Sequence, residues 1–253
     1  MFVDTHAHLT YDDLRAQLPD VIARAHDAGV EAVVCVGTDL VSSRSSIEIS
    51  EEYPSVFASV GVHPHDAKDA PDDYLHQLRE LASHPKVVAI GEMGLDFFRN
   101  LSPEEIQRAV FREQLELAAE LAMPAIVHNR DSDKAVLEVL TFVRHRRFVV
   151  HCFSSDVKMA QSVLDLGGRI SFTGIVTFDK DNTEDVLRGV PLEAVMLETD
   201  CPFLAPVPNR GRLNEPANIP HIASKIAEVR GESLDVIAEK TTLTSRSFFG
   251  LPL

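Results

Sequence analysis

One pattern constrains the fold of this chain more than any other. Short, apolar, β-branched-rich runs alternate with stretches of helical periodicity from end to end. The strand-like runs lie near residues 2–4, 32–37, 57–62, 87–92, 125–128, 148–151, 169–172 and 195–198, which makes eight. Most are apolar at nearly every position, as expected of strands buried on both faces in a parallel sheet covered by helices. Eight such units predict an α/β chain folded as a (β/α)8 TIM barrel. With no linker, low-complexity stretch or internal repeat, residues 1–253 read as a single domain.

The clearest helical signal starts at Ser102-Pro103-Glu104-Glu105, where Ser102 can cap, Pro103 suits the first helical position and Glu105 completes a capping box. Ile106, Val110, Leu117 and Leu121 then keep one face apolar. Residues 20–28, 72–82, 133–145, 157–166 and 234–246 read the same way. Residues 201–220 are irregular, with Pro202, Pro206, Pro208, Pro216 and Pro220. A loop that long in a compact domain is usually functional or disordered, and this one follows the eighth strand, so it should overhang the barrel mouth.

Six residues of metal-ligating type sit where strands should end: His6, His8, Glu92, His128, His151 and Asp200. In an open doubly wound sheet, sites gather at one switch point. These residues come from the first, fourth, fifth, sixth and eighth strands, which an open sheet would spread over several spacings of ~4.8 Å. A barrel gathers them at the C-terminal mouth of its strands, so the barrel is preferred. Four imidazoles and two carboxylates gathered there suit a two-metal hydrolase.

His6 and His8 are two apart, so in an extended strand both face one side and Thr5 the other. Glu92, flanked by Gly91 and Gly94, is the candidate bridge between two ions. His128 and His151 end consecutive strands and are assigned to the second ion. A single strand histidine is more often a satisfied core residue; two at matching positions shift the balance. Asp200 is assigned to the first ion, and as a catalytic group it can take a proton from a water whose pKa a metal lowers to about 7.

His63, in Gly61-Val62-His63-Pro64-His65, is expected to face substrate, while His65 is equally well a surface residue. Arg99, Arg130, Arg210 and Arg212 lie where they can rim the mouth. Each alone reads as solvated charge; Arg130, beside His128, is kept as a phosphate contact. His26, His76, His84 and His145 fall in or beside helices and read as surface groups. Cys152 and Cys201 neighbour ligand candidates but should pack behind the site.

The net charge is −15, which repels nucleic acid at long range and counts against a generic DNA-coating protein. Bound cations can reverse the sign locally, so a phosphodiesterase stays open. The three cysteines imply no disulfide framework and fit a reducing cytoplasm. No basic stretch followed by an apolar one opens the chain, and no apolar run approaches the ~20 residues that span a bilayer. No membrane association is expected, and the oligomeric state is left open, a monomer being one option.

Asp4–Leu9 (Asp-Thr-His-Ala-His-Leu), Gly61–Pro64, Gly91–Asp96, His128-Asn129-Arg130, His151–Ser154, Glu198–Pro202 and Asn214–Asn218 together resemble the TatD family of metal-dependent deoxyribonucleases, within the amidohydrolase-type barrel superfamily. Ser155 stands where that family often has glycine. The resemblance implies one or two divalent metals (zinc, manganese or magnesium) on the same six ligands. It implies phosphodiester hydrolysis, with His63 and Glu215 contacting substrate or ordering water. The expected activity is a 3′–5′ exodeoxyribonuclease acting on DNA, single-stranded or at ends. The ligand types suit zinc or manganese, although the family is often described as magnesium-dependent. The alternatives are a deacylase or amidohydrolase, for example on mischarged aminoacyl-tRNA, and a scaffold with a vestigial site. Cyclic-amide members of the superfamily carry a modified lysine on the fourth strand, where this chain has Glu92.

Overall fold

The computed structural model describes residues 1–178 and 183–252. Eight strands, β1 (Phe2–Ala7), β2 (Val30–Val36), β3 (Val56–Val60), β4 (Val87–Asp96), β5 (Ala125–Arg130), β6 (Phe148–Val150), β7 (Arg169–Phe172) and β8 (Val195–Leu197), form one sheet in sequence order. With helices alternating between parallel strands, the fold is a (β/α)8 barrel.

The expected helices are present as Leu18–Asp27, Tyr74–Ala82, Glu104–Glu120, Asp133–Val143, Val157–Asp165 and Leu234–Phe249. Helices at Leu40–Glu52, Thr183–Gly189 and Ile219–Arg230 are additional. Leu40–Glu52 is rich in serine, which hides its periodicity, but Asp39 and Ser42 close a reciprocal capping box at its start.

The described residues group into two compact units. The first holds residues 1–35, 152–161 and those from Arg169 onward. Within it β1 pairs with β2, and β7 with β8. An isolated parallel bridge joins Ala7 to Cys201, flanked by Asp200 N–H donating to the His6 carbonyl (2.9 Å) and His8 N–H donating to the Cys201 carbonyl (2.8 Å). These bonds hold in register the two strand ends that carry His6, His8 and Asp200.

The second unit holds residues 36–151 and 162–168, with β3, β4, β5 and β6. Here β4 runs past Glu92 to Asp96, with a register shift against β5 between Ile90 and Met93. Glu92 therefore sits inside the strand rather than at its end. Gly94 makes this possible: its φ is +142°, and a Cβ there would lie 2.1 Å from the His128 carbonyl oxygen. Only glycine permits that conformation and that approach together.

The helix Glu104–Glu120 fixes the strand ends beside the site through two buried amides. The Gln114 side chain accepts from Val62 N–H (2.7 Å) and donates to the Val62 carbonyl (2.9 Å), just before His63. The Gln107 side chain accepts from Asp96 N–H (2.9 Å) and donates to the Asp96 carbonyl (3.2 Å). Ser102 does not cap this helix. Pro103 occupies the N-cap in an extended conformation, and the Ser102 hydroxyl donates instead to the His65 carbonyl (2.8 Å) and accepts from Lys68 N–H (3.1 Å).

Candidate metal centre

In the first unit the period of two along β1 places His6 and His8 together. Their Nε2 atoms are 3.2 Å apart, while Thr5 turns away and donates to the Leu197 carbonyl (3.0 Å). Asp200 Oδ1 lies 3.7 Å from His6 Nε2 and 3.2 Å from His8 Nε2. Asp200 has φ +53°, so a left-handed residue turns the chain three positions after β8 ends at Leu197. At most one hydrogen fits on the line between the two imidazole nitrogens. Two such nitrogens and a carboxylate oxygen aimed at one another form a donor set that fits a divalent cation of the zinc or manganese type.

Asp4 supports this set from behind. Its Oδ1 accepts from His6 N–H (3.2 Å) and Thr199 N–H (3.0 Å), and its Oδ2 accepts from the Thr199 hydroxyl (2.6 Å). Burial pushes the Asp4 carboxyl up to about 7, against the pull of the bonds from Thr199 and His6. A Thr199→Val substitution leaves Asp4 Oδ2 without its hydroxyl donor in a buried place, at a cost of about 1–3 kcal/mol. Urea unfolding checks this, and an unchanged midpoint contradicts it.

Asn214, in the proline-rich segment, donates to the Thr199 (2.9 Å) and Phe203 (2.6 Å) carbonyls, anchoring that segment over the Asp200 turn. Glu215 is engaged elsewhere: Arg24 Nη2 donates to its Oε2 at 2.6 Å, and Arg24 Nε contacts both oxygens at 2.9 Å.

In the second unit Glu92 is buried, and its Oε1 gathers three rings. His128 Nδ1 and His151 Nε2 each lie 2.8 Å away, and His63 Nε2 lies 3.3 Å away. His128 Nδ1 and His151 Nε2 are 3.2 Å apart. The N/O donor set again fits a cation, and ligand atoms of His63, Glu92 and His128 lie within 4.8 Å of one another. His63 Nδ1 accepts from His65 N–H (3.1 Å), which assigns the proton of the neutral ring to Nε2, facing Glu92. Burial pushes the His63 pKa down to about 4, although the Glu92 charge opposes this, so the ring is a neutral donor.

Asp96, like Asp4, is a buried carboxylate that sequence reasoning missed. It is fully buried; its Oδ2 lies 2.7 Å from His65 Nε2 and 3.4 Å from His128 Nε2, and its Oδ1 accepts from Arg99 N–H (2.7 Å). Burial raises a carboxyl, but the bonds from His128, Arg99 N–H and His65 prevail and hold Asp96 below the usual carboxylate range. The signal was present: Glu92, Gly94 and Asp96 are spaced by two, so they share one side of a strand that continues past Glu92. His65 is thus part of this network rather than a surface group.

Arg130 places its guanidinium over the Phe98 ring (4.0 Å to the centroid), and Arg210 places its own over Phe178 (3.8 Å). Arg99 and Arg212 are exposed. His26 and His76 are exposed as expected, whereas His84, paired with Glu51, and His145 are half-buried. Cys201 is fully buried, and Cys152 is half-buried with its N–H donating to the Glu198 carboxylate.

The model of the TatD-related DNase family matches residues 3–250. A Bacillus subtilis (strain 168) protein named "Uncharacterized metal-dependent hydrolase YabD" is 39% identical over 252 residues, covering 98% of this chain and 99% of its own. The "3'-5' ssDNA/RNA exonuclease TatD" of Klebsiella pneumoniae (strain 342) is 37% identical over 256 residues, covering 98% of this chain and 97% of its own. The crystal structure of YJJV, a TatD homologue from Escherichia coli K12, superposes with a TM-score of 0.94 at 30% identity, covering 99% of this chain and 98% of its own. The match spans nearly the whole barrel and takes in every candidate ligand described above: this chain belongs to the TatD family and is a metal-dependent hydrolase acting on ester bonds.

Proposed function

We propose that this protein is a phosphodiesterase that removes nucleotides from the 3′ end of single-stranded DNA, working as one domain over residues 1–253. The observation that carries this reading is the pair of convergent ligand sets, His6–His8–Asp200 and Glu92–His128–His151, each drawn together around one carboxylate oxygen. The first set would hold one divalent ion and the second set another. Bound there, such ions supply Lewis-acid polarisation of the phosphoryl group and a water acidic enough to attack at neutral pH.

The remaining tasks fall to side chains. Asp200 accepts the proton of the attacking water and returns it to the leaving oxygen. His63 donates through Nε2–H to Glu92 and so fixes the direction of its Oε1. Arg130, with its guanidinium steadied on Phe98, binds a phosphate of the strand. Glu215 reaches substrate only if its pair with Arg24 opens. The curated TatD relative named for ssDNA/RNA exonuclease activity supports this substrate class. Cys35, Cys152 and Cys201 form no disulfide, which accords with a cytoplasmic setting. No helix among the described residues is long and apolar enough to cross a membrane.

The test incubates metal-reconstituted protein and its Glu92→Gln variant with 5′-labelled single-stranded DNA, mischarged aminoacyl-tRNA and a panel of amides. The expected result is progressive shortening of the DNA from its 3′ end, reduced at least ~100-fold in the variant, because the ion Glu92 helps hold is worth several kcal/mol in the transition state. Turnover confined to the tRNA or the amides contradicts the proposal.

A further inference from the structure

Two exposed aromatic side chains stand beside the His8 ring, and metal binding requires neither. Tyr11 is 43% exposed and Phe203 is 46% exposed, whereas His8 is 5% exposed. The ring centroids of His8 and Tyr11 are 5.6 Å apart, those of His8 and Phe203 are 6.3 Å apart, and those of Tyr11 and Phe203 are 5.5 Å apart with an interplanar angle of 86°.

Each ring is delivered by a turn that begins at a candidate ligand. Tyr11 N–H donates to the His8 carbonyl (3.3 Å), and Phe203 N–H donates to the Asp200 carbonyl (3.0 Å). Both aromatics therefore follow a ligand by three residues. Their backbones are tied down: the Tyr11 carbonyl accepts from Leu14 N–H (3.0 Å) and Arg15 N–H (2.8 Å), and the Phe203 carbonyl accepts from the Asn214 amide (2.6 Å). Exposed rings on a pinned backbone lose little freedom on binding.

The charge of the chain decides what they bind. At −15, the protein gains nothing from general attraction to a polyanion, so beside the ions and Arg130 it needs contacts that do not depend on charge. The flat face of an unpaired base is such a contact, and every base has one. An edge-to-face pair forms a corner in which a flat ring lies against one face with its edge toward the other.

We propose that Tyr11 and Phe203 form a stacking platform for an unpaired nucleobase next to the scissile phosphate. They would thereby select single strands over duplex, whose bases are already stacked. This deepens the phosphodiesterase reading and rests on it.

The experiment uses full-length, metal-reconstituted protein and compares Phe203→Ala, Tyr11→Ala and Phe203→Trp with the wild type. The substrates are a single-stranded oligonucleotide and the same strand with abasic nucleotides at its 3′ end. Each alanine variant is expected to raise KM on the base-bearing strand by about 5- to 150-fold, equivalent to about 1–3 kcal/mol. Phe203→Trp restores the wild-type value, and the difference in KM disappears on the abasic strand. A 3′-terminal 2-aminopurine is expected to be quenched on binding to the wild type and to stay bright with Phe203→Ala. Metal content measured in each variant shows whether the ligands are intact. DNA shortening with an unchanged KM, or an equal loss on both strands, overturns this inference alone. A wild type that shortens no nucleic acid overturns the functional reading and this inference together.

Discussion

Gly94→Ala is expected to lower stability by several kcal/mol or to prevent folding altogether. A Cβ at this position would lie 2.1 Å from the His128 carbonyl oxygen, 2.8 Å from its nitrogen and 2.9 Å from its carbonyl carbon. All three are backbone atoms of β5, so no side chain can rotate away. The φ of +142° adds strain of about 1–3 kcal/mol for any other residue. Overpacking adds about 1–3 kcal/mol more. Against a typical total of about 5–15 kcal/mol, that sum is large. Gly211→Ala is the control, because its φ is +79° and nothing lies within 4 Å of its added Cβ. Urea unfolding of the two variants separates the clash from backbone strain alone. Equal midpoints contradict the view that β4 and β5 must touch at Gly94 to present Glu92 and His128 together.

Asp96→Asn is expected to weaken metal binding by about 10- to 100-fold, the usual loss when the outer partner of a ligating histidine is removed. His128 presents Nδ1 toward Glu92 and His151, and Nε2 toward Asp96. To ligate through Nδ1, the ring must carry its hydrogen on Nε2, and a carboxylate there accepts it. An asparagine can keep its oxygen on Arg99 N–H, but it then presents an NH2 to His128 and His65. That donor favours the other tautomer, with the hydrogen on the nitrogen that should hold the ion. The side chain volume barely changes, so metal-free stability serves as a folding check. Titration with zinc or manganese, and the visible spectrum of the cobalt-substituted protein, report on the ligand directly. Affinity and spectrum identical to wild type contradict the role given to Asp96.

The alternation of strand and helix was legible because parallel strands buried on both faces must be apolar at nearly every position. That is why all eight strands appear near where the sequence places them. The reach of β4 was not legible. Gly91 and Gly94 suggest close backbone packing or an unusual turn around Glu92, and the packing is there, but neither residue signals that β4 lies close enough to β5 to continue to Asp96. Ser102 misled for the reverse reason: its hydroxyl suits a helix cap, but a partner 37 positions away, the His65 carbonyl, takes it.

The ligand candidates were legible from residue type and from the period of two in His6 and His8. The carboxylates behind them were not. Asp4 looks like any acidic residue until burial and hydrogen bonds single it out, and the spacing of Asp96 from Glu92 carries meaning only once β4 is known to run past Glu92. Glu215 shows the limit of motif reasoning, since its partner Arg24 lies 191 positions away and only the fold brings the two together.

Anomalous diffraction from crystals grown with manganese or zinc shows directly whether the two sets of side chains bind ions. The predicted result is two anomalous peaks, one about 2.0–2.2 Å from ligand atoms of His6, His8 and Asp200, and one at the same distance from those of Glu92, His128 and His151. Metal found only elsewhere on the protein, with neither set of side chains in contact with it, contradicts the account.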